Sequence, residues 1–227
     1  MKTLAALFSF LLFIAPAHAI SLSGISDSEA TGGLKDALQQ AVSSAVGKLG
    51  TADGFFKNAK VKIPLPESMQ KAEKAMRMFG MGKQADDLVL KMNRAAEAAV
   101  PEGKQLLVDA VKKMTVQDAK DILTGGDDSA TQYFKKSTSE ALAAKFLPIV
   151  QDATKDVKLA QQYDKFAATG LKYGLVKKEQ ANLEQYVTQK TLDGLYTMMA
   201  EEEKAIRQDP LGASTSLIKK VFGALGK

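Results

Sequence analysis

Between Lys83 and Ala99 the apolar residues Ala85, Leu88, Val89, Met92, Ala96 and Ala99 recur every three or four positions. Lys83, Asp87, Lys91 and Arg94 fall on other faces. This spacing forms one stripe of a helix, and a strand, with its period of two, cannot bury it on one side. The same rhythm fills most of the chain. It runs through Met69, Ala72, Met76 and Phe79, then Leu107, Ala110, Val111 and Met114, then Val116, Ala119 and Ile122. Leu142, Phe146, Ile149 and Ala153 follow, and Ala160, Tyr163 and Ala167 mark a shorter helix predicted to stop near Gly170. The longest pattern, from about Asn182 to Asp209, carries Leu183, Tyr186, Val187, Leu195, Met198, Met199, Glu202 and Ile206. Punctuation agrees with the pattern. Thr115 is an N-cap with Asp118 three residues on, Pro101 suits a first helical turn, Pro148 predicts a kink, and Asp209-Pro210 closes the last helix. The expected fold is all-α, a single multi-helix domain of about eight helices.

Two stretches lack the helical period. In 51–66, Val61, Ile63 and Leu65 alternate with Lys62, Pro64 and Pro66. Ile63 and Leu65 each precede proline, which favours β or polyproline II backbone. An irregular extended arm is expected there, with at most one short strand. The stretch 20–32, "ISLSGISDSEATG", reads as a flexible leader to a helical domain over 33–227. Ahead of it, "MKTLAALFSFLLFIAPAHA" has a basic start at Lys2, an apolar run from Leu4 to Ile14, and Ala17-His18-Ala19. That is the layout of a signal peptide, with cleavage near Ala19 and a periplasmic or secreted product.

The residue inventory excludes much chemistry. The chain has no cysteine, no tryptophan and one histidine, His18, inside the expected signal peptide. The remainder has no Ser-His-Asp or Cys-His nucleophile, no imidazole or thiolate metal ligand and no disulfide. The formal net charge is +5, but lysines are mixed with Asp and Glu along every helix. Nucleic-acid binding would need them clustered on one face, so no nucleic-acid partner is expected.

Three strings carry a resemblance: "VKIPLPESMQKAEKAMRMFGMGKQADDLVLKMNRAAEAAVP", "MTVQDAKDILTGGDDSATQYF" and "YVTQKTLDGLYTMMAEEEKAIRQDP". With them the sequence resembles, from about Leu34 to Phe222, the bacterial family called domain of unknown function 4197. The resemblance implies an exported, mostly helical bacterial protein. It implies no activity and transfers no catalytic positions.

Four features could bear chemistry. Gly125-Gly126-Asp127-Asp128 offers carboxylates and carbonyls for Ca²⁺ or Mg²⁺. From Asp128, however, the EF-hand spacing meets Ala130, so the stretch reads better as a helix corner. Gly125 would end one helix in left-handed geometry, and Asp127 or Asp128 would cap the next. Met76, Met78 and Met81 supply thioethers that suit Cu(I), yet helical geometry puts Met76 and Met78 on different faces. At the C-terminus Leu217, Ile218, Val221 and Phe222 share one face of a basic helix, a candidate membrane face that equally suits docking on the core. Glu202 lies near the apolar stripe of the longest helix and is the candidate buried acid, with Arg77, Arg94 or Arg207 as partners. The expected role is a non-catalytic exported protein, without cofactor, binding a partner or apolar ligand in grooves between helices. The alternatives are a carboxylate-based enzyme using Asp127, Asp128 or Glu202, with or without a divalent cation, and a peripheral membrane protein.

Overall fold

A computed structural model describes residues 25–78, 80, 82–164, 182–209 and 221. Residues 1–19, expected to form a signal peptide, and Gly170, Pro210, Met81, Leu217, Ile218 and Phe222 lie outside the described residues. The fold is all-α, with no strand among the described residues. Its helices are α1 (Asp27–Leu49), α2 (Glu67–Met78), α3 (Gly82–Glu102), α4 (Lys104–Lys113), α5 (Val116–Thr124) and α6 (Ser129–Thr154). Then come α7, helical over 158–164, and α8 (Leu183–Gln208).

The leader is shorter than 20–32. Ser26 and Glu29 form a capping box, with the Glu29 amide donating to Ser26 Oγ and the Ser26 amide to Glu29 Oε2. Two free amides at the helix start are thereby satisfied. Helix α1 accordingly begins at Asp27 and runs through Gly32-Gly33, because burial of Ala30, Leu34, Ala37 and Leu38 outweighs the flexibility of two glycines. A second box forms as expected at Thr115 and Asp118 and starts α5.

One proline behaves differently from expectation. Pro101 sits in the last turn of α3 rather than opening the next helix. The break falls at Gly103, where a Cβ would lie 2.7 Å from Leu142 Cδ2 and 2.9 Å from Phe146 Cζ. Only glycine lets this corner approach α6 so closely. Helix α6 continues through Pro148 to Thr154.

The core lies where α8 meets α6, α1 and α3. Phe134, Phe146, Leu34, Leu88, Met92 and Leu195 are fully buried within it. The arm 51–66 lies over α3 and α8 without strand pairing. Val61, Ile63 and Leu65 are buried, as their alternation requires, while Lys62 and Pro64 face out and Pro66 is buried as well. Phe55, at the arm's start, is also fully buried. Each of these four apolar side chains contributes about 2 kcal/mol by leaving water. Phe55 seats on Gly194 of α8, where an added Cβ would meet its Cε1 at 2.6 Å.

Candidate functional site

The Gly125–Asp128 stretch is the corner between α5 and α6, and all four of its residues are exposed. Gly125 has φ −83° and ψ −173°, so it is extended rather than left-handed. Glycine is needed there for space, since a Cβ would fall 2.2 Å from Ser129 Oγ. Asp128 occupies the N-cap position of α6, but its carboxylate accepts no backbone amide. It accepts instead from Gln132 Nε2 at 2.7 Å. Asp127 and Asp128 therefore do not cap through their side chains.

A carboxylate on α8 takes that role. Glu203 of α8 accepts the Ala130 amide on Oε1 and the Thr131 amide and hydroxyl on Oε2, each at 3.0 Å. Arg207, one turn on, donates to Glu203 Oε1 at 2.9 Å and to the Ile122 carbonyl at 2.8 Å. The end of α8 thus places an anion at the N-terminus of α6 and a cation at the C-terminus of α5. Both signs suit the helix dipoles.

Glu203, not Glu202, is the buried acid. Its side chain is 5% exposed, whereas that of Glu202 is 18% exposed and ion-paired to Lys48 at 2.5 Å. Met198 and Met199 are both buried, so a four-residue step leads from one to Glu202 and from the other to Glu203. Sequence spacing alone does not choose between them. The packing of Glu203 onto α6 does. None of the three expected arginines pairs with Glu202. Arg207 holds Glu203, Arg94 holds Glu97 and Asp53, and Arg77 holds Glu73 and Asp86.

A second polar cluster lies on α3. Asn93 and Glu97 are both buried, at 0% and 5% exposure, and stand one turn apart. Asn93 Oδ1 accepts the Ile63 amide and its Nδ2 donates to the Ile63 carbonyl, both at 2.9 Å. Glu97 Oε1 accepts the amides of Phe55 and Phe56 at 3.0 Å each. Arg94 bridges Glu97 Oε2 at 2.6 Å and Asp53 Oδ1 at 2.7 Å. The Lys57 ammonium and the Arg94 guanidinium hold the Asp53 carboxyl below its usual range. Asn93 and Glu97 were not among the sequence's candidate residues. Their signal is the continuous band Met92, Ala95, Ala96, Ala99 and Val100, which leaves a polar residue inside it no route to water.

Shallow clefts follow the outer side of α8. One, of about 300 Å³, lies between α8 and the arm and includes Lys60, Lys62, Pro64, Tyr186 and Lys190. Another, of about 320 Å³, lies between α8 and α6 and includes Asp128, Lys135, Glu201 and Lys204. The two share Thr197. Lys60 reaches Glu201 at 2.6 Å and Lys190 reaches Asp193 at 3.6 Å, so charges of both signs line the clefts. The Tyr186 hydroxyl donates to the Pro64 carbonyl at 3.0 Å, and burial pushes its pKa up to about 12. No group of three or more acidic, His or Cys side chains able to hold a metal occurs among the described residues. Met78 is 85% exposed, apart from the buried stripe. Val221 is fully buried in the core, which fits the docking reading of the C-terminal stretch rather than the membrane-face one. No described helix is long and apolar enough to cross a membrane.

The family model described as "Protein of unknown function (DUF4197)" matches residues 24–223. The chain belongs to this family. No curated protein and no solved structure matches the chain. The match spans α1 through α8 and both polar clusters, so Glu97 and Glu203 lie within the family's own domain.

Proposed function

We propose that this member of the family is an exported, non-catalytic binding protein of the bacterial envelope, and that a partner meets the outer side of α8 beside the arm. One observation carries the reading. The described buried carboxylates, Glu97 and Glu203, each accept two backbone amides and pair with an arginine. An acid buried and engaged on both oxygens in this way fastens the chain rather than facing a substrate. The clefts on α8 are shallow and lined with charge, which favours the polar surface of a macromolecular partner over a small apolar ligand.

Export rests on the Lys2, Leu4–Ile14 and Ala17-His18-Ala19 pattern. Cell fractionation with N-terminal sequencing tests it. The expected product starts at Ile20 in the envelope or medium, and a product retained in the cytoplasm with Met1 intact would refute it. The non-catalytic reading is tested by broad hydrolase screens on the purified chain. They are expected to stay blank, and robust turnover abolished by changing a single carboxylate would overturn it.

A further inference from the structure

The arm 51–66 makes turn bonds of its own through the Gly54, Lys57, Asn58, Val61 and Lys62 amides, and side chains of three helices satisfy further peptide groups at its two ends. On α3, Glu97 takes the Phe55 and Phe56 amides and Asn93 takes both polar groups of Ile63. On α8, Tyr186 holds the Pro64 carbonyl, and on α2, Gln70 Nε2 holds that of Leu65 at 3.0 Å. Asn93 and Glu97 are four residues apart, about 6 Å along the helix. The two ends of the arm are therefore fastened side by side, as in a compact closed loop. Its plugs also meet. A Cβ on Gly194 would touch both Phe55 and, at 3.2 Å, Val61. Asp53, where the arm begins, has φ +69°, a left-handed backbone that relaxes on release.

We propose that the arm is a strap that leaves and re-docks on α3 and α8 as one cooperative unit, at lower cost than unfolding the helices beneath it. Phe55 and Val61 share one seat, so neither end lifts without disturbing the other. The helices keep their own backbone bonds when the arm leaves. Proteins open locally in contiguous cooperative units at free energies up to that of global unfolding. The outward side of the arm supplies Lys60, Lys62 and Pro64 to the cleft it shares with α8, so the strap also makes or dismantles that cleft. A partner docked there would hold the strap shut. This link to binding rests on the proposed role, whereas the coupling of the two ends does not.

Native-state amide hydrogen exchange on the full chain, with and without low urea, tests the strap. The Phe55, Phe56 and Ile63 amides should exchange at matching free energies, with a smaller urea dependence than the amides of Phe134 and Leu195. Tyr186→Phe removes only the hydroxyl on Pro64 and keeps the ring, so it folds even if Glu97→Ala does not. It should accelerate Phe55 and Phe56, at the far end, by the same factor as Ile63, about fivefold for one lost hydrogen bond. Acceleration at Ile63 alone would overturn the proposal by showing two independent pieces. Exchange of all three amides only together with Phe134 and Leu195 would overturn it by showing no separate unit.

Discussion

Replacing Glu203 with alanine removes four contacts from one buried position. The Ala130 and Thr131 amides lose their acceptor at the first turn of α6, and Thr131 Oγ1 loses its partner. The guanidinium of Arg207, whose side chain is 14% exposed, loses its counter-charge. Removing a helix cap alone costs about 1 kcal/mol. Breaking a buried ion pair by deleting one partner costs about 3–5 kcal/mol, because the remaining charge stays desolvated. The second figure governs here, since both amides lose their acceptor and the arginine loses its ion pair with Glu203 together. In a chain of this size 1 kcal/mol moves Tm by about 2–4 °C, so Glu203→Ala should lower Tm by about 6–20 °C. Glu202→Ala is the internal control. It deletes a pair with Lys48, whose side chain is 58% exposed, and should cost under about 1 kcal/mol. Thermal unfolding followed by circular dichroism at 222 nm reads both variants. Equal, small shifts for the two would refute the assignment of Glu203 as the fastening between α8 and the α5–α6 corner.

Two glycine substitutions should act in opposite directions. Gly194→Ala drives a Cβ to 2.6 Å from the buried ring of Phe55 and should destabilise by about 1–3 kcal/mol despite alanine's higher helix propensity. Gly47→Ala in α1 meets nothing within 4 Å and should stabilise by up to about 1 kcal/mol, both variants being read by urea denaturation. The Asp118 carboxyl, held low by the Thr115 amide and hydroxyl, should titrate below its ordinary value in carbon-detected NMR. Its contribution to stability is present above the unfolded carboxylate pKa and is lost as pH falls through the folded value. Thr115→Ala should move that midpoint upward, and an unmoved midpoint would remove the hydroxyl as a cause. Tyr186, raised to about 12 by burial, favours the folded state while it is neutral. That contribution is complete below the unfolded pKa near 10 and is lost as pH rises between about 10 and 12. Tyr186→Phe should therefore flatten the alkaline decline of stability over that window.

The helices were legible because their apolar spacing admits one period, and Thr115-x-x-Asp118 announced its cap in four letters. The inward set Val61, Ile63 and Leu65 was legible too, because Ile63 and Leu65 each precede a proline, which disfavours a helix there. Glu97 and Glu203 were not legible as fastenings, since their partners are backbone amides 41 to 42 and 72 to 73 residues away. No local rule ties a carboxylate on one helix to the start of another. The same distance explains the misplaced acid. Glu202 and Glu203 each continue a buried methionine by four residues, and only the position of α6 decides between them. The Gly125-Gly126-Asp127-Asp128 stretch looked like a site because its acids are adjacent. In the fold they face solvent, while the charge that governs the corner comes from α8.

Both buried carboxylates are committed to the backbone, and this commitment is what the fold depends on most. Glu97→Gln and Glu203→Gln, each read by the chemical shifts and exchange rates of four amides in the full chain, test it directly. Glu97→Gln should perturb the Phe55 and Phe56 amides and leave Ala130 and Thr131 unmoved, and Glu203→Gln should do the reverse. Amides that stay unmoved when their own carboxylate is replaced would contradict it, because the acids would then be free for other work.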